Sequence, residues 1–170
     1  MSDHAPITVR RERSGDRTAV EAVHRAAFPD GGRYELAVLR GLWDGPWLLP
    51  RLSLVADAGG DVVGHVIATR AHVGDGDALG VGPVGVTPAR HGRGVGSALV
   101  NALLGAAQAL DETVLVLLGD PRFYGRFGFV PAADIGIDSP DPAWGAHFQA
   151  LAFTEDHPRG PFRYAPPFEA

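Results

Sequence analysis

Three glycines at alternate positions, Gly92, Gly94 and Gly96, have the type and spacing to do chemistry. They stand between a run of strand-forming residues ending at Val86 and an alanine- and leucine-rich stretch from Ser97 to Leu110. Glycine there removes side chains and admits positive φ, so several backbone N–H groups can face one centre. The first-turn amides of a following helix lack intrahelical partners, and the helix dipole makes that end attractive to anions. Arg90 and Arg93 add positive charge in a chain whose net charge is −5. A short glycine loop is often only a tight turn, but one that joins a strand to a long helix reads as a phosphate cradle.

The loop does not fit the familiar nucleotide patterns. The Walker pattern needs Gly-Lys followed by Ser or Thr, and no lysine is present here. A dinucleotide fingerprint begun at Gly92 would need glycine where Ser97 stands, and begun at Gly94, where Leu99 stands. Histidines 4, 24, 65, 72, 91, 147 and 157 form no metal-ligating spacing, so no metal is expected. Asp75 and Asp77 read as a solvated hairpin turn rather than a calcium loop.

The elements that must position this loop follow from hydrophobic period. Ile7 to Arg11 reads as a strand. A helix from Asp16 carries Val20, Val23 and Ala27 at helical spacing and stops at Pro29-Asp30-Gly31-Gly32. A second helix, Tyr34 to Trp43, gathers Leu36, Leu39 and Leu42 on one face. The period then shortens, and Leu52 to Ala56, Val62 to Val73 and Ala78 to Val86 read as three antiparallel strands joined by glycine turns. Gly80, Gly82 and Pro83 inside the third predict a bulge or a local opening of the sheet. The helix after the loop leads to a strand at Thr113 to Leu118, a βαβ unit of right-handed crossover, and another strand-like run lies near His147 to Phe153. The prolines of the last ten residues read as a surface tail.

At 170 residues, 45% hydrophobic and 21% charged, the chain reads as one globular α/β domain over 1–170. The acidic balance disfavours nucleic-acid binding. The absence of cysteine excludes disulfides, thiolate catalysis and thiolate metal sites. The charged N-terminal stretch and the lack of a long apolar run predict a cytoplasmic protein without a membrane partner.

The segment Val84-Gly85-Val86-Thr87-Pro88-Ala89-Arg90-His91-Gly92-Arg93-Gly94-Val95-Gly96-Ser97-Ala98-Leu99 resembles the acetyl-CoA-binding motif of the GNAT acyltransferase superfamily. Downstream, Phe123-Tyr124-Gly125-Arg126-Phe127-Gly128-Phe129 is similar to that family's Tyr-x-x-x-Gly-Phe segment. The pair is most like a bacterial subgroup of predicted N-acetyltransferases. One position departs: His91 stands where Gln or Arg is usual.

The resemblance implies a mostly antiparallel sheet with a splayed parallel strand pair and flanking helices. It implies acetyl-CoA as co-substrate, with pantetheine along the backbone of Val84, Gly85 and Val86. Pyrophosphate would rest on amides from His91 through Gly92, Arg93, Gly94, Val95 and Gly96 to Ser97, with Phe123 and Tyr124 beside the cofactor. A backbone N–H at Val84 or Val86 would stabilise the oxyanion, and Tyr124 would be the general acid. No ionisable residue falls between Gly80 and Pro83, where many relatives carry a glutamate base. Glu35 is the first substitute, because its helix borders the acceptor cleft in the family, and His72 is the second because imidazole titrates in the useful range.

The activity so implied is acetyl transfer to a primary amine of a small molecule or peptide, by a protein that would form a homodimer. The alternative is a CoA-binding sensor or scaffold without turnover. Trp43, Trp47, Trp144 and the Pro161 to Phe168 segment are offered both as cleft lining and as core.

Overall fold

The computed structural model describes residues 5–169, so His4 lies outside the described residues. Chain order is β1 (Ile7–Arg11), α1 (Arg17–Ala27), α2 (Arg33–Trp43), β2 (Leu48–Ala58), β3 (Asp61–Val73), β4 (Gly76–Val86) and α3 (Val95–Ala109). Then come β5 (Val114–Leu118), the single turn α4 (Pro121–Tyr124), β6 (Val130–Pro131), β7 (Ile137–Asp138), β8 (Phe148–Ala152) and β9 (Gly160–Arg163). The main sheet runs β1-β2-β3-β4-β5-β8-β6, with β1 to β4 antiparallel and β5 parallel to β4.

Both faces of this sheet are covered, which explains why the middle strands are apolar almost throughout. Side chains alternate between the faces. Leu52, Leu54, Val66 and Ala68 pack with Leu99 and Leu103 of α3, whereas Val55 and Ile67 pack with Val20 of α1 and Leu39 and Leu42 of α2. Leu39, Leu42, Leu99 and Leu103 are essentially inaccessible, so truncating any one to alanine costs about 2–5 kcal/mol.

The distortion expected at Gly80 to Pro83 is present. On β3 the register moves from Val66 to Ala68 while on β4 it moves from Val84 to Val81, so β4 carries one extra residue. The Gly82-Pro83 peptide is cis and Gly82 has φ of 135°. Pairing between β4 and β5 is confined to Leu79↔Leu115 and Gly80↔Val116. Beyond Gly80 the two strands separate, and a cleft opens between them.

The predicted surface tail is a correction. Gly160–Arg163 is a strand whose Phe162 and Arg163 pair with Val73 and His72 of β3, and Phe162 and Ala165 are buried. A Cβ on Gly41 would sit 2.9 Å from Pro167, so the end of the chain lies directly on α2. Four residues containing glycine and proline show no period of their own. Their pairing with a strand far away in sequence decides them.

Candidate active site

The cradle is made by backbone. Gly92 and Gly94 have φ of 72° and 81°, and a Cβ on either would meet nothing within 4 Å, so glycine serves conformation there rather than space. The helical ladder of α3 begins with Ala98 N–H donating to Gly94 O at 3.0 Å. The amides of Val95, Gly96 and Ser97 therefore have no intrahelical acceptor and stand at the positive end of a 15-residue helix.

β4 supplies a second row of free backbone groups. Thr87 N–H donates to Val63 O at 2.8 Å, and the register pairs Gly85 with His65. In an antiparallel ladder bonded and non-bonded pairs alternate, so Val84 and Val86 turn their N–H and C=O away from β3 and toward the opening. Val86 O is met there by His91 Nε2 at 2.8 Å; a carbonyl only accepts, so this nitrogen carries the proton. His91 thus folds back onto the strand end and closes the loop.

Between them lies a cleft of about 530 Å³. It is lined by Val84, Gly85, Val86, His91, Gly92, Gly94, Val95, Gly96, Ser97, Phe123 and Tyr124, so eleven of the twelve predicted cofactor residues come together. Arg93 is exposed and is not part of the lining. Arg90, Arg126, Ala27 and Phe28 join the lining, and no acidic side chain does. Free amides, positive φ at the loop and basic side chains at the rim fit a polyanionic ligand with an extended amide-bearing arm.

Tyr124 is fixed from several sides. Asp120 caps α4 by accepting from Arg122 N–H at 2.9 Å, and Tyr124 N–H donates to Asp120 O at 3.0 Å. The ring meets Phe123 and Phe129 edge to face, at 4.8 and 5.7 Å between centroids. A Cβ on Gly119 would overlap its Cε2, so only glycine permits this ring position. The hydroxyl has no hydrogen-bond partner among the described residues. Burial pushes its pKa up to about 12, which keeps the phenol protonated at neutral pH.

A second cavity, of about 490 Å³, adjoins the first and shares Phe28, Val84 and Tyr124 with it. Glu35, half-buried at the start of α2, lines it and makes no hydrogen bond or ion pair to a described residue. The structure therefore brings the two predicted catalytic side chains, Tyr124 and Glu35, to one cavity. His72 is excluded from it. It lies at the far end of the β3–β4 hairpin opposite Asp77, 3.5 Å from that carboxylate, because strand register carries it away from the opening. Trp43 is core, its indole donating to Glu12 at 3.1 Å, while Trp144 lines the second cavity.

Phe28 is the wall residue that sequence pattern gave no means of finding. It is extended just after α1, and Asp30, Gly31 and Gly32 then turn the chain through three successive positive φ values. Its ring stacks on His24, which is fully buried. His24 Nε2 meets His65 Nδ1 at 2.9 Å, His65 Nε2 meets Ser53 Oγ at 3.0 Å, and Ser53 donates to Glu12 at 2.6 Å. The missing side chain of Gly85 makes room for this chain, since a Cβ there would stand 2.8 Å from His24 Nδ1. Burial and the neighbouring His65 pull the His24 pKa down to about 3, so it is neutral.

Known proteins agree with this geometry. The family model for the GNAT acetyltransferase domain matches residues 50–131. The uncharacterized N-acetyltransferase YjhQ of Escherichia coli K12 is 31% identical over 132 residues, 75% of this chain and 72% of that protein. The chain belongs to the GNAT acetyltransferase family. Among solved GNAT structures, YhbS from Escherichia coli in complex with CoA superposes with a TM-score of 0.89 at 26% identity, over 100% of this chain and 96% of that one. A GNAT acetyltransferase from Brucella melitensis in complex with acetyl-CoA gives 0.80 at 33% identity, over 97% and 99%. The mixed sheet with its splayed β4–β5 pair is thus the GNAT arrangement. Among the described residues no group of three or more His, Cys, Asp or Glu side chains is placed to hold a metal, and no helix is long and apolar enough to cross a membrane.

Proposed function

We propose that the protein transfers an acetyl group from acetyl-CoA to a primary amine, with the thioester held where the two cavities meet. The observation that carries this is the shared wall. Phe28, Val84 and Tyr124 border both the basic, amide-lined cleft and the cavity holding Glu35. A donor in the first can reach an acceptor in the second only at these residues.

The residues then divide the work. Amides of the α3 N-terminus and the Gly92–Gly94 loop bind the pyrophosphate, with Arg90 and Arg126 adding charge at the rim. The outward C=O of Val84 and N–H of Val86 bond the pantetheine amides as a neighbouring strand would. The amine nitrogen attacks the thioester carbon, forming the C–N bond and placing charge on the carbonyl oxygen, which the Val84 N–H is positioned to bond. As the C–S bond breaks, the thiolate takes the Tyr124 hydroxyl proton, and Glu35 takes the proton the amine must lose. Tyr124 supports its role by being neutral and unpartnered. Glu35 supports its role by being a carboxylate without a partner in the acceptor cavity.

Calorimetric titration with acetyl-CoA, desulfo-CoA and ATP tests the donor side. Micromolar binding of both CoA compounds with none for ATP is expected. Folded protein that binds neither CoA compound overturns the reading.

A further inference from the structure

The second cavity differs in character from the first. All three tyrosines of the chain, Tyr34, Tyr124 and Tyr164, line it, together with Phe28, Trp144 and Phe168. Its charged side chains are Glu35 and Asp120, and no basic residue is among the lining. Asp120 is already committed, paired with Arg122 at 3.1 Å while capping α4, which leaves Glu35 as the available carboxylate.

The walls are held in place by contacts that have no other evident purpose. Tyr34 hydroxyl donates to Phe168 O at 2.8 Å, tying α2 to the end of the chain. Tyr164 and Phe168 stack at 4.4 Å and 27°. Tyr164 is largely buried, its hydroxyl has no partner among the described residues, and burial raises its pKa, so it remains a neutral donor. Among the described residues three large hydrophobic side chains are exposed. Two of them, Tyr34 at 51% and Leu118 at 45%, stand on this cavity. Both add apolar surface to the cavity lining.

We propose that the acceptor is a small primary amine carried on an apolar, ring-bearing body and lacking an acidic group. Glu35 and the faces of the tyrosine rings receive the ammonium, and Trp144, Tyr164 and Phe168 enclose the ring. A carboxylate or phosphate on the acceptor would meet Glu35 with no basic group to offset it. A polyamine would bring further ammonium groups against walls that cannot solvate them. The volume of about 490 Å³ suits a small molecule.

The inference rests on the acetyltransfer reading, so the test separates the two. Calorimetry on the protein alone, with 2-phenylethylamine, L-phenylalanine, spermidine and a tetrapeptide with a free N-terminus, reads the cavity directly. Thiol release from acetyl-CoA with the same amines then reads turnover. The ring amine should bind and react at least about tenfold better than each of the others, on the like-charge and desolvation penalties involved. Glu35→Gln should weaken its binding while acetyl-CoA affinity is kept, and Tyr164→Phe should do so to a smaller degree. Equal or better use of L-phenylalanine, spermidine or the peptide overturns the inference, as does failure of 2-phenylethylamine to bind. Amine preference as described without acetyl-CoA binding would instead overturn the acetyltransfer reading and keep the cavity's selectivity.

Discussion

The two cavities that meet at Phe28, Val84 and Tyr124 are built on opposite plans. The cofactor cleft is backbone: a β4 edge freed by the bulge at Gly82-Pro83, a loop with two positive-φ glycines, and the first amides of α3. Two-thirds of its lining, ten of fifteen residues, comes from residues 84–97. The second cavity is side chain, assembled from α2, the β5–α4 junction, Trp144 and the end of the chain. A backbone site depends on conformation and tolerates many side chains, whereas a side-chain site has its chemistry written in residue identity. On the proposed reading, the first would take the acetyl donor and the second would select the acceptor.

Substitutions at the shared wall and on either side of it should therefore separate cleanly. The largest effect belongs to Tyr124→Phe, which deletes one oxygen and leaves the ring contacts with Phe123 and Phe129. It should lower kcat by about 10²-fold or more, the usual worth of general acid catalysis, with acetyl-CoA affinity unchanged in calorimetry. Unaltered kcat would remove Tyr124 from the chemistry. A protein that never turned over, the sensor alternative, would have no activity to lose.

Gly94→Val acts only on the backbone side. Forcing a β-branched residue to φ of 81° costs about 1–3 kcal/mol, so the loop should change conformation and acetyl-CoA affinity should fall about 10- to 100-fold. Amine binding measured without cofactor should be untouched. Loss of both would mean that the two cavities are one cooperative unit.

The third test reads stability rather than binding or turnover and concerns the histidine beneath the shared wall. His24 has a folded pKa of about 3 against 6.5 for the free side chain, so between these values the unfolded chain binds the extra proton. Its contribution to stability is complete above pH 6.5 and is lost as pH falls toward 3, with a slope of up to about 1.4 kcal/mol per pH unit. The carboxylates with lowered pKa, Glu12, Asp16, Glu21, Asp57 and Asp120, start from 4.5 or below, so the interval from 6.5 to 4.5 is the one in which to read His24. Urea unfolding across that interval should show the slope, and His24→Leu should reduce it. A flat profile in the unsubstituted protein would mean that His24 takes up its proton in the folded state without cost.

The same division explains what sequence reading found. The strands β1 to β4, helices α1 to α3, the sheet distortion and the glycine cradle were all legible, because each is encoded in a local period or in glycine and proline. His72 misled because titration range says nothing about position, and strand register placed it at the wrong end of the hairpin. Phe28 was missed because one phenylalanine after a helix carries no pattern. The end of the chain, read as a tail, proved to be strand and cavity wall, because pairing with Val73 and His72 overrides what Pro161 and Gly160 suggest alone.

What the sequence by itself determined is the part that depends on neighbours along the chain: the fold class, the glycine loop with its free amides, and the Tyr124 segment that follows it. Only the tertiary structure decided which side chains gather around the second cavity. Glu35, Trp144 and the neighbouring pair Tyr164 and Phe168 are separated by long stretches of chain, and no local spacing encodes their meeting. Burial of the sheet faces and the docking of β9 on β3 bring them together.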